Sequence, residues 1–198
     1  MRFILLTALF LCFITGCKEN SKKPGLKIVD PAVGLTMTVP GSFPRLDQET
    51  KKETFQKGKR AIDKLHDSVF VLSDIQKVNL FSHDDNNMFI LNTQDYDFKT
   101  QGDFRSAINE VNKLVYETQI KNYPASKIDS ASSKEIIDGV EFIKFVLNAK
   151  VNNDITMHMV NYSKLFKNNK DFTAAVVFTD EELGKEMLKA FKAATFKK

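Results

Sequence analysis

The sequence predicts an α+β fold: an antiparallel sheet of about six to seven strands covered by helices on both faces. Three observations predict it. Short apolar runs are joined by tight turn signals, and strands joined in that way must be antiparallel. Charge-rich stretches carry apolar residues at helical spacing, and amphipathic helices have to lie on sheet faces. The 17 phenylalanines and the absence of tryptophan put much of the core volume in a residue that suits sheet surfaces.

The elements follow in chain order. Leu26-Lys27-Ile28-Val29 and Leu35-Thr36-Met37-Thr38-Val39 read as two short strands, with Pro31 and Gly34 marking the turn and Pro40-Gly41 the exit. From about Asp47 to His66 the chain is charged, with Phe55, Ile62 and Leu65 on one side, which predicts an amphipathic helix weakened by Gly58. Val69-Phe70-Val71-Leu72 reads as a buried strand. Val78 to Phe81 and Met88 to Leu91 flank His83-Asp84-Asp85-Asn86-Asn87, a turn-forming cluster, and predict a hairpin.

A second helix is expected from about Asp103 to Asn122, with Phe104, Ile108, Val111, Leu114, Val115 and Thr118 as its stripe and Pro124 as its stop. Lys127 to Ile137 then turns at Asp138-Gly139 into Val140 to Lys150. Asn152-Asn153-Asp154 leads into Ile155 to Phe166, and Asn168-Asn169 leads into Phe172 to Phe178. This last run is apolar on both faces and is expected near the middle of the sheet. Thr179-Asp180-Glu181-Glu182 reads as a capping box, continued by Leu183, Met187, Ala190 and Ala194 as a helix with acids first and lysines last.

Ahead of this domain, assigned to residues 26–198, residues 1–16 have the zones of an export signal. Arg2 is followed by the apolar run Phe3 to Phe13, and Ile14-Thr15-Gly16 closes it before Cys17. The run is too short to span a bilayer. A transmembrane anchor with an incidental cysteine fits less well, because no stop-transfer charge cluster follows. Ile14-Thr15-Gly16-Cys17 resembles the lipobox of bacterial lipoproteins. That resemblance implies cleavage before Cys17, diacylglyceryl on its sulfur and a further acyl chain on the new amine, together a stable anchor. Lys18 to Gly25 contains nothing to bury and reads, with Cys17, as a flexible tether over residues 17–25. Position 18 is not aspartate, so the inner-membrane retention signal is absent and the expectation favours the outer membrane. Lys18-Glu19 is followed by Asn20, which breaks the surface-export pattern it begins, and the leaflet stays open.

Composition narrows the function further. Cleavage before Cys17 leaves residues 17–198, a size that fits one domain with a substantial core. Cys12 leaves with the leader and Cys17 is acylated, so no disulfide, CxxC pair or cysteine nucleophile is expected. The chain has 29 basic and 25 acidic side chains, interleaved as in Lys51-Lys52-Glu53, which is a solvated surface and not a nucleic-acid footprint.

Three segments, Val33 to Phe43, Ile137-Asp138-Gly139-Val140-Glu141-Phe142 and Ala190 to Lys197, resemble the PsbP/DcrB-like group, which includes the Ran-binding Mog proteins. The likeness spans nearly the whole domain and rests on turns and core positions. It implies an α+β sandwich that ends on a helix followed by a Thr-Phe-Lys strand. It also implies roles in protein binding or as envelope lipoproteins, with no shared catalytic residues and hence no site to carry over.

Candidate chemistry is sparse. His66-Asp67-Ser68 holds the residue types of a hydrolase triad, but sequence neighbours are not a triad in space. No GxSxG elbow, HExxH helix or phosphate loop is present. His83, Asp84 and Asp85 are the weak metal candidates. An EF-hand starting at Asp84 fails at Met88 and Phe89, and a polar hairpin tip explains the cluster. His158 lies between Met157 and Met159, a soft-metal pattern, yet in a strand the methionines share one face and His158 takes the other. The expected function is a non-catalytic, membrane-anchored envelope lipoprotein that binds a protein partner and needs no cofactor. Binding of a small molecule, lipid or metal is the alternative, and a hydrolase ranks below it.

Overall fold

A computed structural model describes residues 23–63, 78–152 and 154–197. The leader, Cys17, the expected strand Val69–Leu72 and the His66-Asp67-Ser68 cluster lie outside the described residues. The chain runs β1 (Leu26–Asp30), β2 (Leu35–Val39), α1 (Gln48–Asp63), β3 (Asn79–Asp84), β4 (Asn87–Asp95), α2 (Phe98–Gln101), α3 (Phe104–Asn122), β5 (Ile128–Ile137), β6 (Val140–Lys150), β7 (Thr156–Leu165), β8 (Lys170–Phe178), α4 (Glu181–Lys192) and β9 (Thr195–Phe196).

All strand pairs are antiparallel, as tight turns require, but the strands divide between two sheets. The six-stranded sheet has the order β3-β4-β8-β7-β6-β5, and the smaller one the order β1-β2-β9. The apolar β8 run lies inside the larger sheet, between β4 and β7. The Thr195-Phe196 strand closes against Leu35 and Thr36.

Both faces of the large sheet are used, in keeping with the two-residue side-chain period of a strand. On one face Phe142, Tyr162, Phe172 and Val176 join Phe191 and Met187 of α4 and Leu35, Met37 and Val39 of β2 in the main core. Phe191 is its hub, with ring centroids 5.0–6.4 Å from Phe89, Phe142, Tyr162 and Phe172. On the other face α3 lies over β5 and β6. There Phe104 and Ile108 pack with Tyr96, Ile143 and Leu165, and Val115 and Tyr116 pack with Phe145 and Leu147.

Two helix readings shift on inspection. Asp103 caps α3 by accepting from the Ser106 N–H, as acidic N-caps do. However, Val111 is 37% exposed and Asn112 is buried in its place. The stripe rotates because α3 must present Phe104 and Ile108 to the sheet, and position 112 follows Ile108 by one turn. At α4 the cap is Asp180, one residue beyond the start of the expected box, and its carboxylate accepts from the N–H groups of Glu182 and Leu183. The Thr179 N–H is drawn off to the Asn87 side-chain oxygen at 3.1 Å, which pins the helix start to β4.

Candidate functional site

The candidates that fall among the described residues, His83, Asp84, Asp85 and His158, do not converge. His83 is exposed at the end of β3, with Nδ1 3.0 Å from the Ser42 carbonyl oxygen. Asp84 closes its hairpin by accepting from the Asn86 N–H at 2.8 Å and from Asn87 Nδ2 at 2.9 Å. Burial pushes the Asp84 carboxyl up, but these donors outweigh it and the net direction is down. Both of its oxygens are thus spent on the turn. Asp85 is exposed. Among the described residues no group of three or more His, Cys, Asp or Glu side chains is arranged to hold a metal ion.

His158 does oppose its neighbours. Met157 and Met159 pack beneath α3 with Phe145, Leu147 and Ala149, while the His158 ring stacks on Phe178 at 4.9 Å. Asn148 donates from Nδ2 to Asp129, so its Oδ1 accepts, and the 2.7 Å contact to His158 assigns the proton to Nδ1. Nε2 lies 3.2 Å from Glu181 Oε1, an ion pair when the ring is protonated. This arrangement ties β6, β7 and α4 together at the half-exposed rim of the core.

Two polar clusters escaped the sequence reading. Glu135 takes Lys192 at 2.7 Å, Lys144 at 2.8 Å and the Tyr162 hydroxyl at 3.2 Å. Burial pushes the Glu135 carboxyl up, and the two lysines more than reverse it. Burial, with Glu135 beside it, pushes the Tyr162 phenol up. Beneath α3 the underside of the large sheet is unexpectedly polar. Asn92 Oδ1, Asn161 Oδ1, Asp171 Oδ1 and Asn112 Nδ2 are buried without hydrogen-bond partners. Asp171 keeps one donor, Gln94 Nε2 at 3.1 Å, and burial pushes its carboxyl up against that single bond. The strand alternation of β4, β7 and β8 puts Asn92, Asn161 and Asp171 on one face. Only pairing register reveals this, because the four residues are scattered over eighty positions of sequence.

A concavity of about 1030 Å³ lies where the β1–β2 turn meets the β5–β6 and β7–β8 turns and the C-terminal segment. Its walls include Val29, Val33, Val140, Leu165 and Phe166, with Lys164, Lys167 and Lys197 among the polar residues. Local chemistry builds it. Gly34 has φ +70, and its carbonyl accepts from Lys197 N–H at 3.0 Å. A Cβ there would strike the Lys197 backbone, so glycine is required both by conformation and by space. The Asp138 carboxylate accepts from Phe196 N–H at 2.7 Å, and Asn168 Nδ2 donates to Ala32 O at 2.7 Å, so three turns are sewn to one another. A smaller cavity of about 480 Å³ adjoins β1 on its other side, reaching Arg45, Asn79 and Thr93. Asp30, in both walls, is occupied by Ala32 N–H at 3.0 Å and Thr93 Oγ1 at 2.6 Å.

No protein-family model matches the chain, and no curated protein matches it in sequence. Solved structures do. The chain is similar to the solution structure of cyanobacterial PsbP (CyanoP) from Synechocystis, with a TM-score of 0.53 and 9% identity, over 93% of this chain and 99% of that one. It is also similar to the crystal structure of the Saccharomyces cerevisiae Ran-binding protein Mog1p, with a TM-score of 0.41 and 10% identity, over 85% and 94% of the two chains. The fold is thus PsbP-like, as the turn and core segments implied.

Proposed function

We propose that this chain, with its PsbP-like fold as the premise, is a lipid-anchored protein of the bacterial cell envelope whose domain docks another protein and performs no chemistry of its own. The observation that carries the reading is the large concavity built from turns and bounded by apolar and lysine side chains. A fold shared at 9% identity constrains architecture and not activity, so the site has to carry the functional argument. The anchor rests on Ile14-Thr15-Gly16-Cys17 after a short apolar run. Without aspartate at position 18 the outer membrane is favoured over the inner.

A second reading, binding of a small polar ligand, draws on the four buried and unpartnered polar atoms on the α3 side of the large sheet. Such atoms ordinarily hold internal water. Ligand binding to the folded state would raise the melting temperature progressively with ligand concentration, whereas a site holding only water would show no such ligand-specific rise.

The deciding experiment is cross-linking in intact cells, affinity capture and mass spectrometry, with Cys17→Ala as control. One protein partner captured with the acylated form and lost with Cys17→Ala supports the reading. Recovery of the chain alone overturns it. Acyl labelling that persists in Cys17→Ala refutes the anchor.

A further inference from the structure

We infer that the groove at the β1–β2 turn receives an extended, acidic peptide segment of the partner protein. This rests on the docking reading above and specifies its occupant. The argument begins with charge. Lys164, Lys167 and Lys197 line the groove, and none makes an ion pair among the described residues. The two acids in the wall are already engaged. Asp30 accepts from Ala32 and Thr93, and Glu141 pairs with Lys134 at 2.9 Å. The groove therefore carries three lysines against two acids, a small positive balance with Lys164 already near Glu141. Over apolar walls this is the complement of a segment that alternates carboxylates with aliphatic residues.

Backbone geometry favours an extended occupant. Among the described residues β1 is the edge of the smaller sheet and pairs with β2 alone. Val29 on that strand is 59% exposed and borders both concavities. An unpaired edge flanked by a pocket is the arrangement that accepts an added strand, with main-chain bonds giving affinity and alternate side chains giving selectivity.

Placement argues for a protein and against the lipid surface. The tether enters at Leu26, which pairs with Val39, whereas the groove lies at the opposite end of the hairpin, where Asp30 pairs with Leu35. Four strand residues separate the ends by about 14 Å. The end held by the tether is thus not the end that carries the groove.

The test uses the mature chain and a fluorescein-labelled ten-residue peptide alternating valine and glutamate, followed by fluorescence anisotropy. The expected result is saturable binding that weakens about tenfold or more in Lys164→Glu/Lys167→Glu and in 0.5 M salt. Lys164→Gln/Lys167→Gln/Lys197→Gln should weaken it less, and Lys113→Glu on the outer face of α3 should leave it unchanged. Retained melting temperature checks folding of each variant. Equal binding of a valine–lysine peptide, or indifference to the groove substitutions, overturns the proposal. So does tighter, lysine-dependent binding to phosphatidylglycerol vesicles. A photo-cross-linker at Lys167 in intact cells separates the two levels of the argument. A partner cross-linked through another face but not from Lys167 refutes the groove alone, while no partner from any face refutes the docking reading as well.

Discussion

Gly184→Ala sets two effects against each other within one helix. Gly184 is buried in the first half of α4, where alanine would ordinarily stabilise a helix by about 1 kcal/mol. The structure opposes this gain. A Cβ at position 184 would come within 3.0 Å of three atoms of the Phe178 ring, far inside contact distance. The ring has little freedom to retreat. It is 6% exposed, and it stacks at 19° on His158, its cross-strand partner. His158 is in turn held by Asn148 and faces Glu181. Opening the α4–β8 contact costs about 1–3 kcal/mol, as overpacking of a closed core does. The steric term wins, and Gly184→Ala should be net destabilising by about 1 kcal/mol, or roughly 2–4 °C in melting temperature for a domain of this size. Thermal unfolding by circular dichroism reads this directly. A double-mutant cycle with Phe178→Leu isolates the cause, because a smaller side chain makes room and restores the helical gain. A higher melting temperature for Gly184→Ala, or strict additivity with Phe178→Leu, would refute the packing argument.

Further outcomes follow from the same contacts. Phe191→Ala removes the ring shared by Phe89, Phe142, Tyr162 and Phe172 and should cost about 3–5 kcal/mol by chemical denaturation. Asp171→Asn should stabilise the protein at neutral pH. Burial raises this carboxyl in the folded state, so the cost of ionising it accrues as pH rises through the window between the unfolded and folded values, and the advantage of asparagine should vanish below that window. Glu135→Gln should act in the opposite sense. Its carboxyl is lowered on folding, so its contribution is present above the unfolded value and lost as pH falls through the folded one. A loss of about 1 kcal/mol at neutral pH should therefore shrink on acidification. Asp138→Ala frees the Phe196 N–H from its acceptor and should loosen β9, read as faster amide exchange at Phe196 and Lys197.

Local signals made much of the fold legible. The Asp138-Gly139 turn, with φ of 47 and 75, joins β5 to β6 as the dipeptide predicts. The β7 methionines and His158 diverge onto opposite faces because a strand alternates. The acidic first turn and basic last turn of α4 surround a helix only one residue offset from its expected start. These features depend on neighbours in the chain, so sequence is sufficient for them.

What sequence alone determined is therefore the α+β class, the antiparallel pairing and the order of the described elements apart from the short α2. Tertiary structure decided the rest, because the rest depends on which distant residues share a face or an edge. The smaller sheet gains its third strand only when β9 closes on Leu35 and Thr36, about 160 positions earlier. The buried row of Asn92, Asn161 and Asp171 exists only once β4, β8 and β7 are in register. The groove likewise assembles from three turns and a C-terminal strand, whose local signals announce turns and strands and not a shared cavity. Hydrophobic period and turn chemistry act over a few residues, whereas a concave surface is set by how separate elements pack, and that information is not local.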